Sequence, residues 1–306
     1  MPVMTLQEFK ELRAGKSDRG CLVADTDWMI MNVMTASQVD EDWGDGIWHL
    51  TCDHNAAMDK LETLLHSFRT RKKAWAKADI IHVLSSRPNF RASLADSYKG
   101  NRTGSRKPVG YWEFEQRCKE LFPVTILEPK LEGDDVMGIL GSDSKSYGYD
   151  KAVLVSVDKD FKTIPDCDFW HLTDGQIHSQ TQETADWWWF YQTIIGDRTD
   201  GYSGIPSFGE QTANEFLDDP YVMRQRERIF KSGKRKGESA IEWYRDEAPE
   251  GYSVWDCMLT LAEYKGMTPD DLLLQARLAR ILRKDDYNTA TGEIKLWEPT
   301  DGYETK

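Results

Sequence analysis

The stretch LEGDDVMGIL, Leu131 to Leu140, decides how this chain is read. Val136, Ile139 and Leu140 recur at helical spacing, so one face of the segment enters a core. Its first turn carries three carboxylates, Glu132, Asp134 and Asp135. Residues three apart share a helix face, so Glu132 and Asp135 point the same way and Asp134 sits on the flank. Acids this close raise one another's pKa unless something positive lies between them. A divalent cation resolves that conflict, and oxygen-only ligands favour Mg²⁺, Mn²⁺ or Ca²⁺ over zinc. Alone, the stretch reads first as an acidic helix start that complements the macrodipole. The rest of the chain changes that reading.

Three further stretches read as buried strands ending in polar residues. Cys21 to Ala24 is a short apolar run without alternation, as in a strand covered on both faces, and it ends in Asp25 and Asp27. Asp27 also suits a helix cap. IIHVLS, Ile80 to Ser85, is a second such run. KAVLVSVDKDF contains a third, Ala152 to Val157, with Asp158 and Asp160 at its carboxyl end. Residues two apart on a strand share a face, so these two acids can address one site. Phe169 to Thr173 reads as the next strand. In open α/β sheets the working residues sit at the carboxyl ends of the strands.

The 306 residues suggest one large or two ordinary domains, and 40% hydrophobic content supplies a core. No apolar run is long enough to span a membrane, and the N-terminus, with Thr5 as a helix cap, lacks an apolar signal core. Five scattered cysteines without CxxC spacing read as free thiols in a reducing cytoplasm, with no zinc site. The net charge of −13 argues by itself against nucleic acid. The charges are uneven, however. Arg69 to Lys77, Lys99 to Lys107 and Arg224 to Lys236 form three basic blocks, which suggest local anion-binding faces on an acidic protein.

Residues 46–77 read as one long helix, and Tyr111 to Leu121 as another. Between them, the segment from Ser86 mixes Arg, Lys, Asn and aromatics, as a loop closing over a phosphate backbone would. From Thr184 to Arg283 the patterns are helical with Gly-rich breaks. There the run Trp187 to Trp189 reads as core packing. Asp197 and Asp200 are placed to face together. The turn from Gly204 to Gly209 brings backbone N–H groups to the start of the next helix, a place for a phosphate. Thr268, Pro269, Asp270 and Asp271 read as a structural helix start, and the tail as a small hairpin around Thr291 and Gly292.

Asp25, Glu132, Asp134, Asp135, Asp158, Asp160, Asp197 and Asp200 each have a bland explanation. Together they need a shared one, because carboxylates converging without cations repel strongly. Two divalent ions about 4 Å apart can divide such a set, activate water and stabilise the attacking and leaving oxygens of phosphodiester cleavage.

YKGNR (Tyr98 to Arg102), LEGDD (Leu131 to Asp135), VDKDF (Val157 to Phe161) and GDRTDGYSGIPSFG (Gly196 to Gly209), in this order, resemble the flap-endonuclease family of structure-specific 5′ nucleases. The likeness runs from Leu22 to about Leu217. In WWWFYQTIIGDRTDGYSG and around ARILR it is to the 5′→3′ exonucleases of short-tailed bacteriophages. The resemblance implies an α/β fold: a central mixed, mostly parallel sheet flanked by helices, with a helical arch and a helix–turn–helix variant around Trp187 to Leu217. It divides the chain into a nuclease core over 1–183 with a gateway about 99–121, a helical duplex-DNA-binding region over 184–285, and a tail over 286–306.

The same resemblance makes the eight acids the metal site, with Asp25 and Asp158 central to catalysis. Lys99 and Arg102 lie beside the scissile phosphate, the first neutralising transition-state charge and the second gripping the phosphate. Arg91 steers the strand. Gly204 and Gly209 bound the turn that holds duplex phosphates, with a K⁺ ion in some members, and Lys234, Arg235 and Lys236 share that grip. Two departures stand out. An acid usual at the end of the second strand is replaced near Ser86, and a Lys usual after the duplex turn is replaced by Glu210 and Gln211.

The implied protein is a Mg²⁺-dependent 5′→3′ exodeoxyribonuclease using two ions, with Mn²⁺ able to substitute. Its substrates are duplex DNA with a 5′ end or flap, and RNA–DNA hybrid in primer removal. It acts as a monomer beside phage replication proteins in the cytoplasm of an infected bacterium, away from membranes. The rival from another class is a catalytically weak or dead module that holds DNA forks, supported by Ser86 alone. A phosphatase built on Asp158 and Asp160 leaves YKGNR unexplained. A single-stranded RNA nuclease leaves the region after residue 184 unexplained.

Overall fold

Thr5 starts the first helix by a reciprocal cap, its Oγ accepting from the Glu8 N–H while Glu8 accepts from the Thr5 N–H at 2.7 Å. A computed structural model describes residues 3–100, 104 and 106–299. In chain order, β1 (Val3–Met4), α1 (Leu6–Leu12), β2 (Cys21–Asp25) and α2 (Thr26–Thr35) are followed by the hairpin β3 (Gln38–Asp42) and β4 (Trp48–Cys52). Next come α3 (His54–Thr70), β5 (Asp79–Leu84), α4 (Tyr111–Leu121), β6 (Thr125–Leu127), α5 (Gly133–Ser142), β7 (Ala152–Ser156), β8 (Asp168–His171), β9 (Ile177–Ser179) and α6 (Gln182–Ile195). The chain then forms α7 (Glu210–Asp218), β10 (Tyr221–Ile229), β11 (Ser239–Glu247), α8 (Val254–Tyr264), α9 (Pro269–Ala279), β12 (Tyr287–Asn288) and β13 (Glu293–Ile294).

These elements form two compact units. The first comprises residues 1–93, 102–186 and 281–295. Its seven-stranded sheet has the order β1-β6-β5-β2-β7-β8-β9, parallel throughout except for β9. This is the mixed, mostly parallel sheet with flanking helices that the resemblance implied. Its central strands are covered on both faces. Val23, Val83 and Leu154 pack with α1 and α5, whereas Leu22, Ala24, Ile80 and Val155 pack with α2, α3 and α4. Burial of each of these Val, Leu and Ile side chains contributes on the order of 1.5–3 kcal/mol. On α5, Val136, Ile139 and Leu140 are buried, as their spacing predicts. Gly138 lies so close to the segment after α9 that a Cβ there would stand 2.4 Å from the Leu282 carbonyl oxygen.

One expectation for this unit fails. The long helix over 46–77 begins only at His54, because Asp53 caps it by accepting from the N–H groups of Asn55 and Ala56 at 2.9 and 3.0 Å. The residues before the cap pair as β3 and β4 around Gly44 and Gly46, both at positive φ. Helix α4, in the expected gateway about 99–121, packs against α2 with Tyr111, Phe114 and Cys118 buried. Three apolar side chains at helical spacing fasten it to the sheet.

The second unit comprises residues 94–101, 187–280 and 296–306. Its core gathers Trp189, Ile194, Phe216, Trp255, Met258, Leu261, Leu272 and Trp297. Trp189 is fully buried and donates its indole N–H to the Ala276 carbonyl at 2.9 Å, the packing role expected for this run. Thr268 caps α9, its hydroxyl accepting from the Asp271 N–H at 3.1 Å while Asp271 accepts from the Thr268 N–H, so Asp271 is structural. Helices do not account for the whole region after 184: β10 and β11 pair residue by residue as an antiparallel ribbon. The alternation along this ribbon is one of charge, not hydrophobicity. Arg224, Arg226 and Arg228 alternate along β10 and pair with Asp246 and Glu242 of β11. In the first unit, β12 and β13 form the predicted tail hairpin. All five cysteines are free, and no helix among the described residues is long and apolar enough to cross a membrane.

Candidate metal centre

Strands β5, β2 and β7 are adjacent and parallel, so their carboxyl ends bring separate stretches of sequence together. Asp25 ends β2 and caps α2, accepting from the Trp28 N–H at 3.1 Å. Its other oxygen accepts from the Ser156 hydroxyl at 2.7 Å. The same hydroxyl oxygen accepts from the Asp158 N–H at 3.1 Å, so Ser156 ties the ends of β2 and β7 together. Asp158 turns back to accept from the Asp160 N–H at 2.9 Å, and both acids are half-buried. Burial pushes the Asp25 carboxyl up to about 6, opposed by the Ser156 and Trp28 hydrogen bonds and reinforced by the charges of Asp27 and Asp158. An acid in that position is one that a cation would stabilise.

Asp27 is the acid that the sequence undervalued. It does not cap α2; Asp25 does. One Asp27 oxygen accepts from the Ser85 N–H at 2.7 Å, just beyond the end of β5. The Ser85 hydroxyl accepts from the Gly133 N–H at 2.9 Å, and a Cβ on Gly133 would stand 3.5 Å from the Asp27 carboxylate. Asp27 therefore lies beside the turn that bears Glu132 and Asp134. Burial raises its pKa, against the lowering effect of Ser85. Its position two residues after a strand-end acid was the available signal. Ser86, where the resemblance expects an acid, links the end of β5 to this turn by donating its N–H to the Leu131 carbonyl at 2.9 Å.

Glu132 and Asp135 do share a face, and that face carries Arg91. The guanidinium donates to both Asp135 oxygens at 2.7 Å and to Glu132 at 3.2 Å. Asp135 also accepts from the N–H groups of Glu132 at 3.2 Å and Leu282 at 3.1 Å. An ionised carboxylate offers about four acceptor sites, so these four donors saturate Asp135. With no exposed surface, it anchors α5 and does not fit a metal. Arg91, expected to steer DNA, is 2% exposed and serves as the buried counter-charge of this turn. Glu132 is 8% exposed and Asp134 half-buried, while Ser156 ties Asp25 to Asp158 and Ser85 ties Asp27 to the turn that bears Glu132 and Asp134.

In the second unit, Lys99 has a positive φ of 52°, and its N–H donates to the Asp200 carbonyl at 2.8 Å. Its ammonium stands 3.7 Å from the Asp200 carboxylate. Asp197 accepts from the N–H groups of Thr199 and Asp200, closing the turn that sets both acids. Arg102 lies outside the described residues. Gly204, with φ of 65°, needs its lack of a Cβ: one would stand 2.4 Å from the Ile194 carbonyl oxygen. The N–H groups of Ser203 and Gly204 both donate to the Gln275 side chain, at 3.0 and 2.9 Å, and that of Gly209 donates to Thr212 at 3.0 Å. The donors expected to meet a phosphate at these glycines are thus engaged within the chain. Lys234, Arg235 and Lys236 lie exposed at the tip of the β10–β11 ribbon.

No protein-family model matches the chain. Among curated proteins it is 46% identical to the exodeoxyribonuclease of Enterobacteria phage T3 over 302 residues, which covers 98% of this chain and 99% of that one. It is 45% identical to the exonuclease of Escherichia phage T7, covering 98% of this chain and 100% of that one. Among solved structures, a bacteriophage T5 protein co-crystallised with metal ions superposes with a TM-score of 0.53 at 15% identity, covering 85% of this chain and 89% of its own. T5 5′-exonuclease with divalent metal ions (zinc) superposes with a TM-score of 0.52 over the same shares, a likeness of fold. The full-length identity, the four ordered motifs and the acid-lined sheet lead to one conclusion: this chain is a nuclease and belongs to the flap-endonuclease family of 5′ nucleases, among the phage exonucleases.

Proposed function

We propose that this protein is a divalent-metal-dependent 5′→3′ exodeoxyribonuclease that hydrolyses phosphodiesters near the 5′ ends of double-stranded DNA, and that it also cuts 5′ flaps and RNA primers. The reading is carried by the gathering of acids at the carboxyl ends of adjacent parallel strands, with the Asp25 carboxyl pushed up to about 6 where burial, Asp27 and Asp158 meet. Such a set repels itself until a cation enters, and oxygen-only ligands suit Mg²⁺ or Mn²⁺. The bound ion supplies Lewis-acid stabilisation of phosphate charge and a lowered pKa for water.

The chain's own residues do the rest. Ser156 holds Asp25 and Asp158 in fixed relation, and Ser85 aims Asp27 beside α5. Arg91 and Asp135 neutralise one another and hold the turn that offers Glu132 and Asp134. By the family resemblance, Asp197 and Asp200 are further metal acids, Lys99 stabilises charge on the phosphate and Arg102 grips it. The basic ribbon tip supplies phosphate contacts on duplex DNA. We infer that it works in the DNA metabolism of a phage-infected bacterium, where the relatives of T3 and T7 suggest its place.

The test is incubation with 5′-end-labelled duplex, flap and RNA–DNA hybrid, with and without Mg²⁺. Short 5′-labelled products that need metal are expected. Binding of all three substrates without cleavage in any metal would instead make the protein a fork-holding module.

A further inference from the structure

The turn between β8 and β9 carries three side chains that the nuclease reading does not use. His171 ends β8, Asp174 lies in the turn and His178 lies on β9. The His171 Nδ1 stands 2.9 Å from one Asp174 oxygen, and the His178 Nε2 stands 3.6 Å from the same oxygen. The three ligand atoms all lie within 4.8 Å of one another. Both imidazole nitrogens are buried and face the Asp174 carboxylate.

The proton positions follow from the surroundings. The His171 Nε2 lies 2.9 Å from the Val157 carbonyl oxygen, which can only accept, so Nε2 carries the hydrogen. In the neutral ring Nδ1 then turns a lone pair toward a carboxylate oxygen. The other Asp174 oxygen accepts from the Gln176 N–H at 2.7 Å, which aims the carboxylate at the two rings. Phe169 packs on both imidazoles, its centroid 5.6 and 6.0 Å from theirs, and walls the cluster on one side. An Nδ1–H on His171 and an Nε2–H on His178 can both donate to the one Asp174 oxygen that faces them, which a single cation would replace as the common partner. A cation between the three groups satisfies all of them.

We propose that His171, Asp174 and His178 bind a zinc-like divalent ion, in a site chemically distinct from the carboxylate centre. Two imidazoles and one carboxylate suit late first-row metals, whereas Mg²⁺ prefers oxygen alone. Bonds of about 2.0–2.1 Å in tetrahedral geometry separate ligand atoms by roughly 3.3 Å, within reach of the separations here by small side-chain rotations. The fourth position is open to water. The Val157 carbonyl is the outer partner that orients His171, as metal-bound histidines ordinarily require. The ion would clamp the β8–β9 hairpin at the edge of the sheet and fix the backbone just before Asp158. Counting cysteines misses this site because it contains none.

The test is equilibrium dialysis of the full chain against Zn²⁺ in excess Mg²⁺, comparing the native protein with Asp174→Asn and His178→Gln. Asn keeps the oxygen that accepts from Gln176, and the Asp174 side chain is 41% exposed, so that variant retains the turn. The native chain is expected to hold one more zinc than either variant, and zinc is expected to raise the Tm of the native chain by more than that of either variant. Co²⁺ should give tetrahedral visible bands that His178→Gln loses. Equal zinc retention by the native chain and Asp174→Asn would overturn the proposal. Because the comparison is between variants, it holds whether or not the carboxylate centre takes up metal.

Discussion

Arg91 forks Asp135 beneath the acidic turn: Nη1 and Nη2 each lie 2.7 Å from a different oxygen of a carboxylate with no exposed surface. Removing one partner of a buried pair strands the other charge, at a cost of about 3–5 kcal/mol. Arg91→Ala and Asp135→Ala should each lower the urea midpoint accordingly. Arg91→Met with Asp135→Leu should recover part of the loss. Stability close to native in Arg91→Ala would return this residue to a DNA-contacting role.

Asp25 predicts a conflict between stability and activity. Its folded pKa of about 6 exceeds the ordinary value of 3.8, so the unfolded chain ionises first as pH rises. The group therefore lowers metal-free stability progressively from pH 3.8 to about 6, and fully above that. Asp25→Asn should raise stability in EDTA at pH 7.5 by about 1–2 kcal/mol while abolishing cleavage. A variant that is destabilised in EDTA would contradict the repulsion on which the metal reading rests.

His82 sets the acid limb. Burial, with a contribution from Arg69, pushes its pKa down to about 3 from 6.5, and Phe122 stacks on it at 3.6 Å. Between those pH values the unfolded chain binds a proton that the folded chain refuses, so stability present above 6.5 is lost as pH falls. The slope from this one group is at most about 1.4 kcal/mol per pH unit. Chemical denaturation of His82→Leu at pH 7, 6 and 5 should show a shallower decline than the native protein. Parallel curves would remove His82 from the account.

Lys99 is tested by separating rate from affinity. Its ammonium is 3.7 Å from Asp200. Under single-turnover conditions Lys99→Ala should slow cleavage by roughly 10²–10³-fold with little change in DNA affinity. An effect confined to Kd would make it a positioning residue.

The ribbon tip is tested by salt. Converting Lys234, Arg235 and Lys236 to Ala should weaken duplex binding irrespective of sequence. It should also flatten the plot of log K against log salt by up to roughly 0.9 for each lost phosphate contact. An unchanged slope would show that duplex phosphates are held elsewhere.

Much of this was legible in the chain itself. The strand runs ending at Asp25, Ser85 and Asp158, the helical spacing of Val136, Ile139 and Leu140, and the caps at Thr5 and Thr268 are local patterns. Each is encoded within a few residues by period and hydrogen-bonding chemistry. The ordered motifs carried the family for the same reason. Local pattern failed where it was ambiguous: residues 46–77 look helical until Asp53 is seen to cap a shorter helix, and β10 alternates in charge instead of hydrophobicity.

What a charge does was decided only by tertiary structure. Arg91 and Asp135 are 44 residues apart, and nothing in either neighbourhood says that they neutralise one another. Asp135 looked like a metal ligand because its turn is acidic, and it is saturated because folding brings Arg91 and the Leu282 N–H onto it. Asp27 gained weight when Ser85, 58 positions away, met it beyond the end of β5. The sequence by itself determined which residues could bear chemistry. Only the packing of distant segments decided which of them kept a lone pair to offer, because burial and partners set the free energy of a charge.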